Sequence, residues 1–356
     1  VKEEYFYLRS TPSHSYAKAL YKYPQAEFPY LDLVAENQRR NQEDREYEIT
    51  DTGAFDKNRY FDICAEYAKE SPNGILIRIT ATNRSDRSAP LHILPQVLFR
   101  NTWTWDCDHE GCTPKPSIRA EEDGRIVLDH VDLGRFHFEV DPEGPGASFL
   151  FTENETNTRR ITGEPNSTPY VKDAFHEFLV HDKKEAINPA RVGTKAAAHH
   201  TFDFAPGETR ILRFRLYAES EKPASFHPFD ETFRHRIAEH DEFYAHDLAD
   251  GLTGDDREIA LQSYAGLLWS KQFYHYIVRN WLEGDGEISR CSPERRKGRN
   301  SDWQHLHSRD LISMPDKWEY PWFAAWDLAF QMLPMARVDP RFAKDQLALF
   351  LREWYM

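Results

Sequence analysis

The spacing of apolar residues changes once along this chain, and that change limits the fold more than any other feature. From Ile75 to about Leu216 the chain offers a series of short strand-length runs, several with apolar positions at every second residue. ILIRITATN places Ile75, Ile77, Ile79 and Ala81 on one side of a strand, after a turn at Asn73 and Gly74. LHILPQVLFR, RIVLDHV, FHFEVD and SFLFT follow, each of strand length and separated by turn residues. HHTFDFAPGETRILRFRLYAE then gives two alternating runs joined by Pro206 and Gly207, with Ile211 and Leu216 set among Arg210, Arg213 and Arg215. From about Pro228 the period lengthens to between three and four. FDETFRHRIAEHDEFYAHDLAD reads as a charged helix with Phe233, Ile237, His240 or Asp241, and Tyr244 on one side. A long helix is expected from Asp255, as its N-cap, through Trp281, and two more at about Pro321 to Ala336 and Pro340 to Tyr355. Strands first and helices afterwards argue for an antiparallel sandwich followed by a separate helical domain, not for an alternating α/β fold.

The 356 residues suffice for two or three domains, and 40% hydrophobic with 29% charged residues places the chain among soluble globular proteins. A net charge of −14 argues against electrostatic capture of nucleic acid, and an uncharged substrate fits better. No apolar run approaches bilayer-spanning length, so no membrane partner is expected. The four cysteines, Cys64, Cys107, Cys112 and Cys291, are too scattered for a disulfide scaffold, and a cytoplasmic location is expected. The chain begins at Val1 without an initiator Met and stops at Met356 inside an expected helix, so it reads as a piece cut at both ends.

The stretch MPDKWEYPWFAAWDLAF carries Trp318, Trp322 and Trp326 four residues apart and encloses one acid, Asp327. With Pro321 at the first position, the helix would set Trp322, Trp326 and Phe330 on one face and Phe323 one turn before Asp327. A helix apolar all round belongs inside a protein, where indoles around a carboxylate disfavour its charge and prepare it to donate a proton. Helix physics alone leaves two roles open for Asp327, a general acid or a structural partner of Arg or backbone groups. Seven of the nine tryptophans lie between Trp269 and Trp354, interleaved with Asp285, Arg299, Asn300, His305, Asp316, Lys317 and Glu319. Aromatic faces beside hydrogen-bonding groups suit a sugar ring, whose C–H faces stack while its hydroxyls need polar partners.

MPDKWEYPWFAAWDLAF, with GRNSDWQHL before it and DPRFAKDQLALFLREWYM after it, resembles the bacterial branch of glycoside hydrolase family 63, the processing α-glucosidases and mannosylglycerate hydrolases. KEEYFYLRSTPSHSYAKALYKYPQAEFPY, DTGAFDKNRYFD and LPQVLFRNTWTW resemble the same group, so the likeness spans nearly the whole chain. The resemblance implies an N-terminal antiparallel β-sandwich at 1–225, a helical linker at 226–254, and at 255–356 the first helices of a truncated (α/α)6 barrel. It also implies cleavage of α-glycosidic bonds with inversion, with Asp327 as the general acid. Substrate-pocket candidates are Trp322, Trp326, Trp318, Lys317, Trp303, Arg299 and Asn300. An inverting enzyme needs a second carboxylate as base, which the resemblance places on later barrel helices outside this chain. Alternatives are a carbohydrate-binding protein without chemistry and a glycoside phosphorylase.

No cofactor or metal is expected. WDCDHEGC brings Cys107, Asp108, His109 and Cys112 close together, but Cys-x4-Cys without a second ligand pair is weak ground for a metal site. Trp103 and Trp105 serve either to cover a barrel mouth or to pack between domains. The basic run ERRKGRN reads as a solvated loop, and His275 as a core histidine on an aromatic helix. Because the base is placed elsewhere, the purified 356-residue chain is expected to be inactive, and glycoside hydrolysis by it would contradict that expectation.

Overall fold

The computed structural model describes residues 3–105, 113–121, 125–248, 251–284, 292–314, 320 and 322–352. Its first strands are β1 (Glu4–Ser10), β2 (Tyr16–Pro24), β3 (Tyr60–Ser71), β4 (Gly74–Asn83), β5 (Ala89–Ile93), β6 (Gln96–Leu98) and β7 (Ser117–Ala120). β8 (Ile126–His130), β9 (Gly134–Val140), β10 (Ser148–Thr152), β11 (Val192–Gly193), β12 (Lys195–Phe204) and β13 (Thr209–Ala218) follow. Helix α1 (Tyr30–Arg39) and the short helices α2 (Thr158–Ile161) and α3 (Ala174–Val180) lie between them. After β13 come α4 (Phe229–Asp247), α5 (Gly254–Trp269), β14 (Lys271–Ile277), α6 (Val278–Glu283), β15 (His307–Ser313), α7 (Ala325–Val338) and α8 (Pro340–Arg352). Two compact units result. One holds Val1–Phe6, Lys18–Asn101 and Lys115–Phe233; the other holds Tyr7–Ala17, Thr102–Pro114 and Arg234–Met356.

The first unit is built on a nine-stranded sheet, in the order β1-β2-β3-β4-β13-β9-β8-β7-β11, and a second sheet in which β12 pairs with β10, β5 and β6. The pairings from β3 to β11 and all those of β12 are antiparallel. One apolar core takes residues from both sheets: Phe61, Ala81, Ile118, Phe138 and Phe214 from the first, and Leu91, Phe151, Phe202 and Phe204 from the second. The arrangement is therefore a β-sandwich. Phe61 meets Phe204 edge to face at 5.4 Å, and His200 meets Phe214 at 5.7 Å. Burying each such phenylalanine is worth about 1.5–3 kcal/mol. The two runs around Pro206 and Gly207 do not pair with each other: β12 lies in the smaller sheet and β13 in the larger. Gly207, at φ +69°, turns the chain from one layer to the other.

The arginine alternation on β13 has a structural cause. Arg213 stands directly opposite Arg78 on β4, a like-charge pair that would destabilise a bare ladder. Asp230 lies 2.9 Å from Arg213 and 4.0 Å from Arg78, and Glu66 bonds Arg78 at 2.8 Å. Phe229 and Phe233 at the start of α4 cover the two guanidinium groups at 5.4 and 4.2 Å. Arg215, only 1% exposed, is held by Glu70 at 3.1 Å and by the Ser225 carbonyl at 2.8 Å.

In the second unit Tyr244, Leu261, Leu268, Ile312, Met314, Leu328, Met332, Met335 and Leu349 form the core. The helix expected from Asp255 through Trp281 ends instead at Trp269. The Ser270 hydroxyl donates to the Gly266 carbonyl at 2.6 Å, and the next seven residues, KQFYHYI, form β14, paired along its full length with β15. Aromatic residues and a β-branched Ile favour the pleated conformation, and they read equally well with a period of two. His275 consequently sits on a strand, half-buried against Phe273 at 5.9 Å. The last expected helix pair is present, with α7 and α8 joined at Asp339, but α7 begins at Ala325 and not at Pro321. An (α/α)6 barrel is not defined by these elements. Among the described residues no helix is long and apolar enough to cross a membrane.

Three buried histidines distribute an acid sensitivity over both units: His137 and His200 in the first, His240 in the second. Burial lowers the pKa of each below the ordinary 6.5, although Asp241 partly opposes this at His240. The unfolded chain therefore binds more protons in this range, so the contribution to stability is present above pH 6.5 and declines below it. Urea-unfolding midpoints should fall between about pH 7.5 and about pH 5.5, a window in which ordinary carboxylates barely titrate. Equal or higher midpoints at the acid end would contradict this assignment.

Candidate functional site

Asp327 occupies the third position of α7, in its first turn, where the helix dipole attracts negative charge. This corrects the expected mid-helix position. The expected immersion of the tryptophan face is also corrected. Leu328, Met332, Met335 and Val338 turn into the core, whereas Trp322, Trp326 and Phe330 are 51%, 71% and 63% exposed. Asp327 as a residue is half-buried. Among the described residues, no ion pair or hydrogen bond engages it, so nothing there marks it as a structural ion-pair partner.

Two pairs of rings flank it in the sequence. Trp326 meets Phe330 edge to face at 5.8 Å, and Tyr320 meets Trp322 at 5.5 Å. Phe323, just before α7, starts a separate row of rings: it lies 5.9 Å from Tyr274 on β14 and 6.2 Å from Phe350 on α8. Burial pushes the Tyr274 phenol up, partly offset by a hydrogen bond from the Phe323 backbone. The Ser313 hydroxyl on β15 donates to Gln331 of α7 at 3.1 Å.

From Tyr274 the row continues to Tyr276, 6.3 Å away, whose hydroxyl accepts the Asn300 side-chain amide at 2.9 Å. Asn300 has φ +67°, a left-handed conformation that Asn tolerates better than most residues. Its Oδ1 is buried without a partner among the described residues, leaving an acceptor for a donor not supplied by them. A continuous set of contacts thus joins Asn300 to the start of α7 through Tyr276, Tyr274 and Phe323. Trp303 sits in the same loop, 5.3 Å from His305, while Arg299 is exposed. Trp318 and Lys317 lie outside the described residues, as do Cys107, Asp108, His109 and Cys112.

Residue-by-residue reasoning missed Tyr274 and Tyr276, which the alternation in FYHYI signals once the segment is read as a strand. The basic run read as a solvated loop also makes a contact that was not expected: the Arg295 guanidinium lies 5.2 Å from the Trp281 ring centre and donates to the Trp281 carbonyl. Asp310, across the ladder from Tyr274, is committed to Arg352 at 2.8 Å and supplies no free second carboxylate. Two cavities of about 630 and 360 Å³ lie in the sheet unit and touch none of the predicted site residues. Charged side chains line both.

No family model matches this sequence. An uncharacterized protein of Saccharomyces cerevisiae, YMR196W, is 40% identical over 397 residues, covering 100% of this chain. The chain spans 36%, about a third, of that relative's length. Among solved structures, a chain described as a kojibiose phosphorylase from the human microbiome aligns over 61% of this chain and 22% of its own, with 6% identity and a TM-score of 0.23. One described as an aldose 1-epimerase from Escherichia coli K12 aligns over 60% of this chain and 68% of its own, with 9% identity and a TM-score of 0.28. Superpositions this loose carry no inference about fold or chemistry.

Proposed function

We propose that this chain is part of a carbohydrate-active enzyme, an inverting glycoside hydrolase of the family 63 type acting on an α-linked glucoside or oligosaccharide. The observation that carries the proposal is the placement of Asp327: a half-buried acid without a side-chain partner among the described residues, in a stretch whose Trp322 and Trp326 rings face solvent. The resemblance stated for the tryptophan stretch supports the same residue. In this proposal Asp327 protonates the departing glycosidic oxygen. The indoles stack on the sugar's C–H faces. A second carboxylate, about 6.5–9.5 Å from the first, activates water from a part of the protein beyond these residues.

The position in the first turn of α7 pulls the other way. A helix N-terminus favours the anion, so the general-acid role requires that desolvation outweigh the dipole, as when sugar and protein cover the Trp322 and Trp326 rings. An ionised Asp327 would instead only accept hydrogen bonds from sugar hydroxyls. That is the second proposal, a carbohydrate-binding protein of the same architecture.

Asp327→Asn in the full-length protein separates the two. With a general acid at this position, turnover of an α-glucoside with a poor leaving group falls by about 10²–10⁴-fold while binding is retained. Unchanged turnover would remove Asp327 from the chemistry, and turnover that depends on added phosphate would assign a phosphorylase instead.

A further inference from the structure

A different set of side chains has ligand chemistry of its own. Helix α3 carries His176 and Glu177, and His181 is its C-cap residue. One imidazole nitrogen from each histidine and one Glu177 oxygen lie within 4.8 Å of one another. Glu177 and His181 are four residues apart, neighbours on one helical face, and Oε1 approaches the His181 Nε2 at 3.9 Å. His176 reaches the same place because its ring meets His181 edge to face at 5.2 Å.

The backbone beyond α3 holds this grouping together. The amide N–H groups of His181 and Lys183 both donate to the Glu177 carbonyl, at 3.2 and 3.1 Å. Asp182, at φ +51°, reverses the chain so that the Lys183 ammonium returns to bond Glu177 Oε2. Oε1 is therefore the oxygen turned towards the histidines. A carboxylate with one oxygen on a neighbouring cation and the other free is how outer partners orient a metal ligand.

We propose that His176, Glu177 and His181 bind a divalent transition metal ion, zinc by the chemistry of its ligands. Two imidazoles and one carboxylate suit zinc, whereas magnesium prefers oxygen ligands and retained waters. Tetrahedral zinc with bonds of about 2.0–2.1 Å needs ligand atoms about 3.3 Å apart. Glu177 Oε1 and His181 Nε2 at 3.9 Å exceed that slightly, and no separation in the group is above 4.8 Å, a closure within the reach of the two exposed histidine side chains. Three protein ligands leave a fourth position for water, and the ion fastens the end of α3 to the reversal at Asp182. The site belongs to the sheet unit and is independent of Asp327.

The test is calorimetric titration of the 356-residue chain with zinc chloride in excess magnesium, carried out in a Cys107→Ser/Cys112→Ser background to remove the one cysteine-rich segment. The background chain should bind about one equivalent. Adding His176→Ala and His181→Ala should weaken that binding at least about tenfold, since loss of an outer partner alone costs that much. The unfolding temperature of the background chain should rise with zinc and that of the histidine variant should not. Equal zinc affinity with and without the two histidines, or no binding by the background chain, would overturn the proposal. Circular dichroism of each variant identifies any loss caused by misfolding, and in that case His176→Gln and His181→Gln replace the alanine changes.

Discussion

The break at Ser270 is the constraint on which the second unit depends. Had the chain continued as a helix through Trp281, Tyr274 and Tyr276 would project at different angles around a cylinder. As a strand paired with β15, the segment sets both phenols on one side of a two-residue repeat. One phenol reaches Phe323 and the other reaches Asn300. The ladder thereby fixes the loop holding Asn300 and Trp303 relative to the start of α7.

The sandwich solves a separate problem. β13 must bury apolar residues on one side and carry arginines on the other, and the larger sheet uses both faces. Phe214 and Leu212 enter the core between the sheets, while Arg213 and Arg215 are neutralised by Asp230 and Glu70 and covered by phenylalanines from the segment leading into α4. The cost of drawing Arg215 out of water is offset by charge-assisted hydrogen bonds and ring contact together.

Much of this architecture was legible in the sequence because strand periodicity is a local property. ILIRITATN, FHFEVD and the runs around Pro206 were readable as strands, and their number and turns indicated a sandwich. Which strand entered which sheet was not, since the layer change at Gly207 depends on partners more than a hundred residues away. The helix through KQFYHYI failed because short aromatic runs satisfy both periods, and tertiary pairing with β15 decided between them. Asp327 stood out in the sequence as an acid in an apolar stretch, but its place in the first turn did not. Pro321 suggested a helix start, whereas Ala324 takes the capping position. The exposure of Trp326 was equally hidden, because an apolar helix shows in sequence what it can bury and not what lies against it. The His176, Glu177 and His181 grouping escaped notice since His181 lies beyond the helix and joins it only through the reversal at Asp182.

The stereochemistry of the reaction tests the proposed chemistry most directly. The full-length protein, given an α-linked glucoside and followed by proton NMR from the first minutes, is expected to release the β-anomer before mutarotation mixes the two. Initial release of the α-anomer would show retention and contradict an inverting site built on Asp327 and a distant base.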